Sequence, residues 1–160
     1  MASRLLILLL MTAIMVPLRA SADLPPQFSG TDVRSGATID LGDYRGKVVL
    51  VDFWASWCPP CLESLPAWEQ FRQSYGAQRF EVIAINVDEN PADGLAFLEK
   101  TPVSYPVLSD PEGTIGKPWG IRSLPRYFLL DQGGNVVKSY RRFRTGNEDD
   151  VRRAIEALLD

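Results

Sequence analysis

Histidine is absent from this chain of 160 residues, and cysteine occurs only twice. A structural zinc ion takes about four ligands, and two thiols without any imidazole do not supply such a set. Neither sign of charge dominates, since 20 acidic side chains stand against 17 basic ones and the net charge is −3. So mild a balance argues against general binding to nucleic acids or to anionic membranes.

Long apolar runs are also scarce, and the one that stands out, residues 5–16, lies near the N-terminus. It is shorter than the roughly 20 residues that a membrane-spanning helix needs, and Pro17 ends it. A basic residue precedes it, and Ala20-Ser21-Ala22 then offers small residues at the positions that a signal peptidase reads. We therefore predict a signal peptide over residues 1–22, cleaved before Asp23, with an uncleaved membrane anchor as the alternative.

The two cysteines lie together in Trp57-Cys58-Pro59-Pro60-Cys61, directly after the apolar run 48–54. This pattern predicts a buried strand that leads into a Cys-x-x-Cys pair at the start of a helix. A bridge between Cys58 and Cys61 closes a very short loop, so it constrains the unfolded chain little and is a poor structural staple. A reactive thiol pair is the better interpretation, and an inert buried disulfide is the alternative.

Cys58 is expected to cap the helix, because Pro59 disfavours the helical conformation in the residue before it and suits the first helical position. At that position the helix dipole and free backbone N–H groups stabilise a thiolate. Two prolines remove two of those donors, which leaves the N–H of Cys61 as the nearest partner for the Cys58 sulfur. We expect a lowered but not extreme pKa for Cys58, and a buried Cys61.

The remaining sequence predicts alternating strands and helices in one domain, residues 23–160, without a repeat or a second unit. The expected elements are a hairpin within 23–46, strands at 47–54, 80–87, 105–108, 126–131 and 135–140, helices at 59–75, 90–99 and 148–159, and a helical turn at 114–119. Asn147 is the expected cap of the last helix. This order predicts an α/β sandwich around a mixed sheet.

Three features carry a resemblance to a known family: the string from Phe53 to Cys61, the extra segment 90–110 between two strands, and Gly120-Ile121-Arg122-Ser123-Leu124-Pro125. Over nearly all of residues 27–159 the chain resembles the thioredoxin fold, and within it the bacterial extracytoplasmic proteins of the TlpA/ResA/DsbE type. The resemblance implies a mixed central sheet flanked by helices, with an N-terminal hairpin and a central insertion. It also implies a periplasmic thiol–disulfide oxidoreductase that needs no cofactor.

The resemblance assigns roles to several residues. Cys58 is the expected nucleophile, and Cys61 the resolving thiol of the Cys58–Cys61 disulfide. Leu124 precedes the expected cis-proline, Pro125, and offers its backbone to an extended substrate, while Trp57 forms part of the substrate groove. Strongly oxidising relatives carry a histidine between the cysteines, and its absence here favours the reducing direction.

Asp52 is a lone carboxylate inside the apolar run 48–54, where desolvation would raise its pKa. It matches the buried acid of cytoplasmic thioredoxins, although TlpA-type relatives more often have asparagine there. Its expected role is to take the proton of Cys61, and the alternative is a strand-edge aspartate that points to solvent. The lysine that partners this acid in thioredoxins is missing, since Ala84 occupies the matching position.

The expected partners are proteins with disulfides and, by resemblance, a membrane thiol reductase of the DsbD or CcdA kind as electron donor. We expect a monomer that binds no nucleic acid. The client stays open: apocytochrome c, a copper-site protein or a general pool of misoxidised proteins.

Two other functions occur on this fold. A peroxiredoxin-type peroxidase has a threonine where Ala55 stands, and copper-binding assembly factors add a histidine that this chain lacks.

Overall fold

The computed structural model describes residues 24–144 and 148–160. The predicted signal peptide, the cleavage before Asp23 and the predicted cap Asn147 lie outside these residues. Within them, no helix is long and apolar enough to cross a membrane.

The described residues form seven strands, three α-helices and one 3-10 helix, Leu41–Tyr44. In chain order the strands and α-helices are β1 Ser29–Thr31, β2 Thr38–Asp40, β3 Val48–Trp54, α1 Pro59–Tyr75, β4 Phe80–Asn86, α2 Pro91–Lys100, β5 Val107–Ser109, β6 Arg126–Leu130, β7 Val136–Tyr140 and α3 Glu148–Leu159. The main sheet has the order β5-β4-β3-β6-β7. Strands β3, β4 and β5 run parallel to one another, β6 pairs antiparallel with β3, and β7 pairs antiparallel with β6. Strands β1 and β2 form the predicted N-terminal hairpin.

Strand β3 lies at the centre of the sheet and is buried along its whole length, as its continuous apolar run predicts. Successive side chains alternate between the two faces. Leu50 and Trp54 face the core formed with the helices, which includes Trp68 of α1. Val51 and Phe53 face a second core, which the N-terminal segment and the loop 111–121 complete. Asp52 therefore belongs to the face that α1 covers.

One strand boundary and one helical turn differ from what the sequence pattern predicts. The strand predicted from residue 105 begins at Val107, because Pro106 has no N–H to donate to the ladder. The hydroxyl of the preceding Tyr105 donates to the carbonyl of Leu65 at 3.0 Å. The helical turn expected at 114–119 is present as turns in which the Lys117 N–H donates to the carbonyl of Gly113 at 3.0 Å.

Candidate active site

The cysteine pair lies where the central strand gives way to the first helix. Cys58 is the N-cap of α1 with extended backbone angles (φ −105°, ψ 93°), and Pro59 and Pro60 occupy the first helical positions. The two sulfurs form a disulfide, with 5.3 Å between the Cα atoms of Cys58 and Cys61. The predicted cap and the predicted pairing are thus both present.

The two cysteines differ in exposure. Cys58 retains 5% of its accessible surface, whereas Cys61 retains 0%. In this oxidised state the Cys61 N–H donates to the carbonyl of Cys58 at 2.9 Å, not to its sulfur. A disulfide sulfur is neutral and a weak acceptor, so the carbonyl takes the donor. The predicted contact between this N–H and a Cys58 thiolate concerns the reduced state and stays a prediction.

Asp52 is fully buried on the α1 side of the sheet, which rules out the strand-edge alternative. Its Oδ2 accepts a hydrogen bond from Nε1 of Trp68 at 2.9 Å, and its Oδ1 has no partner among the described residues. Burial raises the pKa of Asp52, and the hydrogen bond from Trp68 lowers it by a smaller amount, so the resulting pKa is about 7. Ala84 lies beside Asp52 in the register of β3 and β4, so no lysine is present at that position.

The face of α1 above Asp52 is also the face that carries the second cysteine. Cys61, Leu65 and Trp68 are spaced four and three residues apart and are all buried, so they share one side of the helix. Asp52 therefore lies under the same helix face as Cys61. Trp68, which binds the Asp52 carboxylate, lies about two helical turns from Cys61 along α1.

A second carboxylate, which the sequence analysis missed, holds the loop in front of Cys58. Asp88 is buried and accepts from the backbone N–H of Ser56 at 3.1 Å, from the Ser56 hydroxyl at 3.1 Å and from Nδ2 of Asn86 at 2.7 Å. Ser56 lies two residues before Cys58. The available signal was the position of Asn86 and Asp88 at the carboxyl end of a parallel strand, next to the end of β3.

A third acidic side chain, Asp110 at the end of β5, holds the loop that follows. Its two oxygens accept from the Thr114 hydroxyl at 2.9 Å and from the backbone N–H groups of Ile115, at 3.1 Å, and Gly116, at 2.8 Å. The Asp110 N–H in turn donates to the carbonyl of Asn86 at 2.8 Å. The segments that follow β3 and β4 are thus joined through the Asp88 side chain, and β4 and the end of β5 are joined through a backbone hydrogen bond.

An open cavity lies beside Trp57, the residue that precedes Cys58. The Leu124–Pro125 peptide bond is cis, as the resemblance predicted, and Pro125 is buried. Leu124 and Trp57 line one open cavity of about 460 Å³ together with Val87 and Ile121. Trp57 keeps 67% of its surface exposed. The structure therefore brings Trp57 and Leu124 to one surface, next to Cys58.

Other tryptophan and acidic positions have structural roles. Trp54 is fully buried and packs on Phe97 with ring centroids 5.8 Å apart. Glu63 is exposed, and the neighbouring Ser64 is buried with its hydroxyl donating to the carbonyl of Cys61 at 2.9 Å. Ser64 thus supports the first turn of α1 and brings no acid to the site.

Comparison with known proteins places the chain in a family. Residues 20–157 match the Redoxin family. A thiol-disulfide oxidoreductase ResA of Bacillus thuringiensis is 34% identical over 116 residues, which are 72% of this chain but only 66% of that protein. The ResA of Geobacillus thermodenitrificans is 31% identical over 133 residues, 83% of this chain and 75% of that protein.

Solved structures agree with these relatives. A candidate thiol:disulfide interchange protein DsbE of Chlorobium tepidum superposes with a TM-score of 0.81 at 35% identity, covering 86% of this chain and 96% of that one. The exposed lipoprotein thioredoxin of Streptococcus pneumoniae superposes with a TM-score of 0.70 at 30% identity, covering 83% and 100%. The chain belongs to the Redoxin family and, within the thioredoxin superfamily, to the TlpA/ResA/DsbE type of thiol–disulfide oxidoreductases.

Proposed function

We propose that this protein is an exported thiol–disulfide oxidoreductase that reduces disulfides of other proteins. The observation that carries the proposal is the asymmetric pair at the N-terminus of α1: Cys58 keeps some exposed surface beside a groove, and Cys61 keeps none. A substrate disulfide therefore reacts with Cys58 first, and the buried Cys61 reacts only in the second step.

The reduced protein donates two electrons in two exchange steps. The Cys58 thiolate attacks one sulfur of the substrate disulfide, forms a mixed disulfide and expels the other substrate sulfur as a thiolate. The Cys61 thiolate then attacks the Cys58 sulfur, which restores the Cys58–Cys61 disulfide and expels the second substrate sulfur. The substrate ends as a dithiol after it takes up two protons, and the protein ends oxidised.

Asp52 serves the second step in this proposal. A carboxyl with a pKa of about 7 is partly ionised near neutral pH, so it can accept the proton of Cys61 directly or through water. Its unpartnered Oδ1 is the oxygen available for that proton. No group of the substrate is required for this transfer.

The groups around Cys58 support the reducing direction. Two prolines remove N–H donors from the start of α1, and no histidine lies between the cysteines, so the thiolate of the reduced form gains little stabilisation. Equilibration with glutathione buffers tests this. We expect a reduction potential below about −180 mV, the value typical of protein disulfide isomerase, whereas a value near the −120 mV of DsbA would overturn the reducing direction.

Turnover requires an electron donor outside the chain. By resemblance, a membrane thiol reductase of the DsbD or CcdA kind re-reduces the Cys58–Cys61 disulfide, and the predicted signal peptide brings the protein to the periplasmic side. Mass spectrometry of the protein from an export-competent bacterial host tests the export. We expect a chain that begins at Asp23, and an intact Met1 in the membrane fraction would favour an anchor instead.

A further inference from the structure

Three arginines converge beside the cis-proline loop. A surface depression of about 90 Å³ is lined by Arg122, Arg126 and Arg141 together with Gly120 and Ser123. Arg122 and Ser123 also line the larger groove that contains Trp57 and Leu124. The arginine patch, defined as Arg122, Arg126 and Arg141, therefore adjoins the proposed substrate groove on the side of Leu124.

These positive charges are not neutralised within the described chain. The ion pairs found among residues 24–144 and 148–160 involve other side chains. Arg126 stacks over the ring of Phe128, at 4.8 Å from its centroid, and donates one long hydrogen bond of 3.4 Å to the hydroxyl of Ser139. A guanidinium has five N–H donors, so most of those on Arg126 stay available.

A bound anion would stabilise the charged form of Arg126. Partial burial lowers the pKa of Arg126, and the nearby charge of Arg141 lowers it further. Both effects destabilise the charged guanidinium, and a carboxylate placed between the two arginines would offset both. Guanidinium groups bind carboxylates through paired hydrogen bonds, with geometry that a lysine does not match.

The groove itself also carries negative charge. Glu89 and Glu112 are exposed and line the cavity of about 460 Å³ near Trp57. Lys117, in the same lining, donates to the backbone carbonyl of Glu112 at 2.7 Å. The groove thus has acidic side chains in its lining, and Arg122 belongs both to this lining and to the arginine patch.

We propose that the client segment that docks beside Cys58 is an extended peptide with carboxylates near its reactive cysteine, bound by the arginine patch. The proposal rests on the proposed reductase function and names its substrate class. A segment laid along the backbone of Leu124 brings its side chains to the patch or to the acidic side chains of the groove. The carboxylates of aspartate and glutamate are attracted to the arginine patch and repelled by Glu89 and Glu112, so these two groups of charges select both the client and its placement.

Peptide disulfides of equal length test this proposal. Their cysteines are flanked by Asp and Glu, by Ser, or by Lys, and each is mixed with the dithiol form of the full-length mature protein at neutral pH. The second-order rate is expected to be about tenfold higher for the acidic than for the Ser peptide at low salt, as for electrostatically steered association. The advantage should disappear at about 0.5 M salt, where charges are screened within a few ångströms.

Two triple variants distinguish an effect of the arginine patch from an effect of the protein's net charge. Arg122→Gln/Arg126→Gln/Arg141→Gln should bring the acidic-to-Ser rate ratio close to one. Lys100→Gln/Arg152→Gln/Arg153→Gln removes the same charge from α2 and α3 and should keep the tenfold ratio. Equal rates for acidic and Ser peptides in the wild type, or loss of the ratio in the control variant, would overturn the proposal. If no peptide is reduced by the wild type, the reductase function itself fails.

Discussion

The indole of Trp68 and the carboxylate of Asp52 form a buried hydrogen bond of 2.9 Å between α1 and the central strand. The bond uses one oxygen of Asp52 and leaves the other without a partner among the described residues. A carboxyl in this position is costly to ionise, because one hydrogen bond does not replace the water lost on burial. Asp52 therefore titrates near neutral pH beneath the helix face that carries Cys61, as the proposed role of proton acceptor requires.

The first prediction concerns the pH dependence of stability. Between about pH 4 and pH 7 the folded wild type keeps a proton on Asp52 that the unfolded chain releases, since burial raises the pKa from 3.8 to about 7. The folded state binds more protons in that range, so the free energy of unfolding falls as pH rises through it, by up to about 4 kcal/mol at roughly 1.4 kcal/mol per unit. Asp52→Asn should lack this fall and become relatively more stable above pH 7.

Urea unfolding of the oxidised protein across this pH range measures the effect. Asp93→Asn, on the exposed side of α2, is the matched control and should parallel the wild type. If the curves of Asp52→Asn and the wild type run parallel from acid to neutral pH, Asp52 does not hold its proton as described.

The second prediction concerns the kinetics of the same variant. Asp52→Asn should lengthen the life of the mixed disulfide by at least about tenfold, because a general base commonly contributes that much or more. The first attack by Cys58 should keep its rate, since the proposed role of Asp52 is to accept the proton of Cys61 in the second step. Acid quenching of the reduced protein with a peptide disulfide, followed by mass spectrometry, resolves the two steps. Unchanged decay of the mixed disulfide would remove Asp52 from the mechanism.

The third prediction concerns the order in which the thiols react. In the reduced protein, iodoacetamide at neutral pH should modify Cys58 first, because Cys58 keeps exposed surface and Cys61 keeps none. Peptide mapping after partial labelling reads the order directly. Cys58→Ser should leave a protein that labels slowly, and Cys61→Ser one that labels as fast as the wild type. Labelling of Cys61 ahead of Cys58 would reverse the assigned roles.

The fourth prediction concerns the buried Asp88. Asp88→Ala removes the acceptor for the Ser56 N–H, the Ser56 hydroxyl and the Asn86 amide, and should lower the free energy of unfolding by about 2–3 kcal/mol. It should also slow disulfide exchange, because Ser56 fixes the loop that leads to Cys58. Asp88→Asn keeps an acceptor oxygen and should recover part of both losses.

Urea midpoints and exchange rates with a small disulfide check this prediction. Glu89→Ala, at the exposed neighbouring position, should change stability by less than about 0.5 kcal/mol. A loss of stability in Asp88→Ala without any change in exchange rate would make Asp88 a structural residue only.

Much of the fold was predictable because its signals are local. The apolar run of β3 and the Pro59 that follows Cys58 predict a strand, a cap and a helix without reference to the rest of the chain, and all three are present. The order of strands and helices and the longer motifs around Cys58 and Pro125 then identified the thioredoxin fold. Most of the boundaries that moved did so by a single residue, and the start of the strand predicted from residue 105 moved by two, to Val107.

The sequence by itself thus determined the fold, the family and the reactive pair, whereas the tertiary structure decided the surroundings of that pair. Whether Asp52 is buried depends on which face of β3 the helix α1 covers. The bond between Asp88 and Ser56 exists because β3 and β4 are parallel and end side by side. Arg122 and Arg141 come from distant segments that meet only at the cis-proline loop. Contacts between distant segments leave no periodic pattern in the sequence, so only the folded chain reveals them.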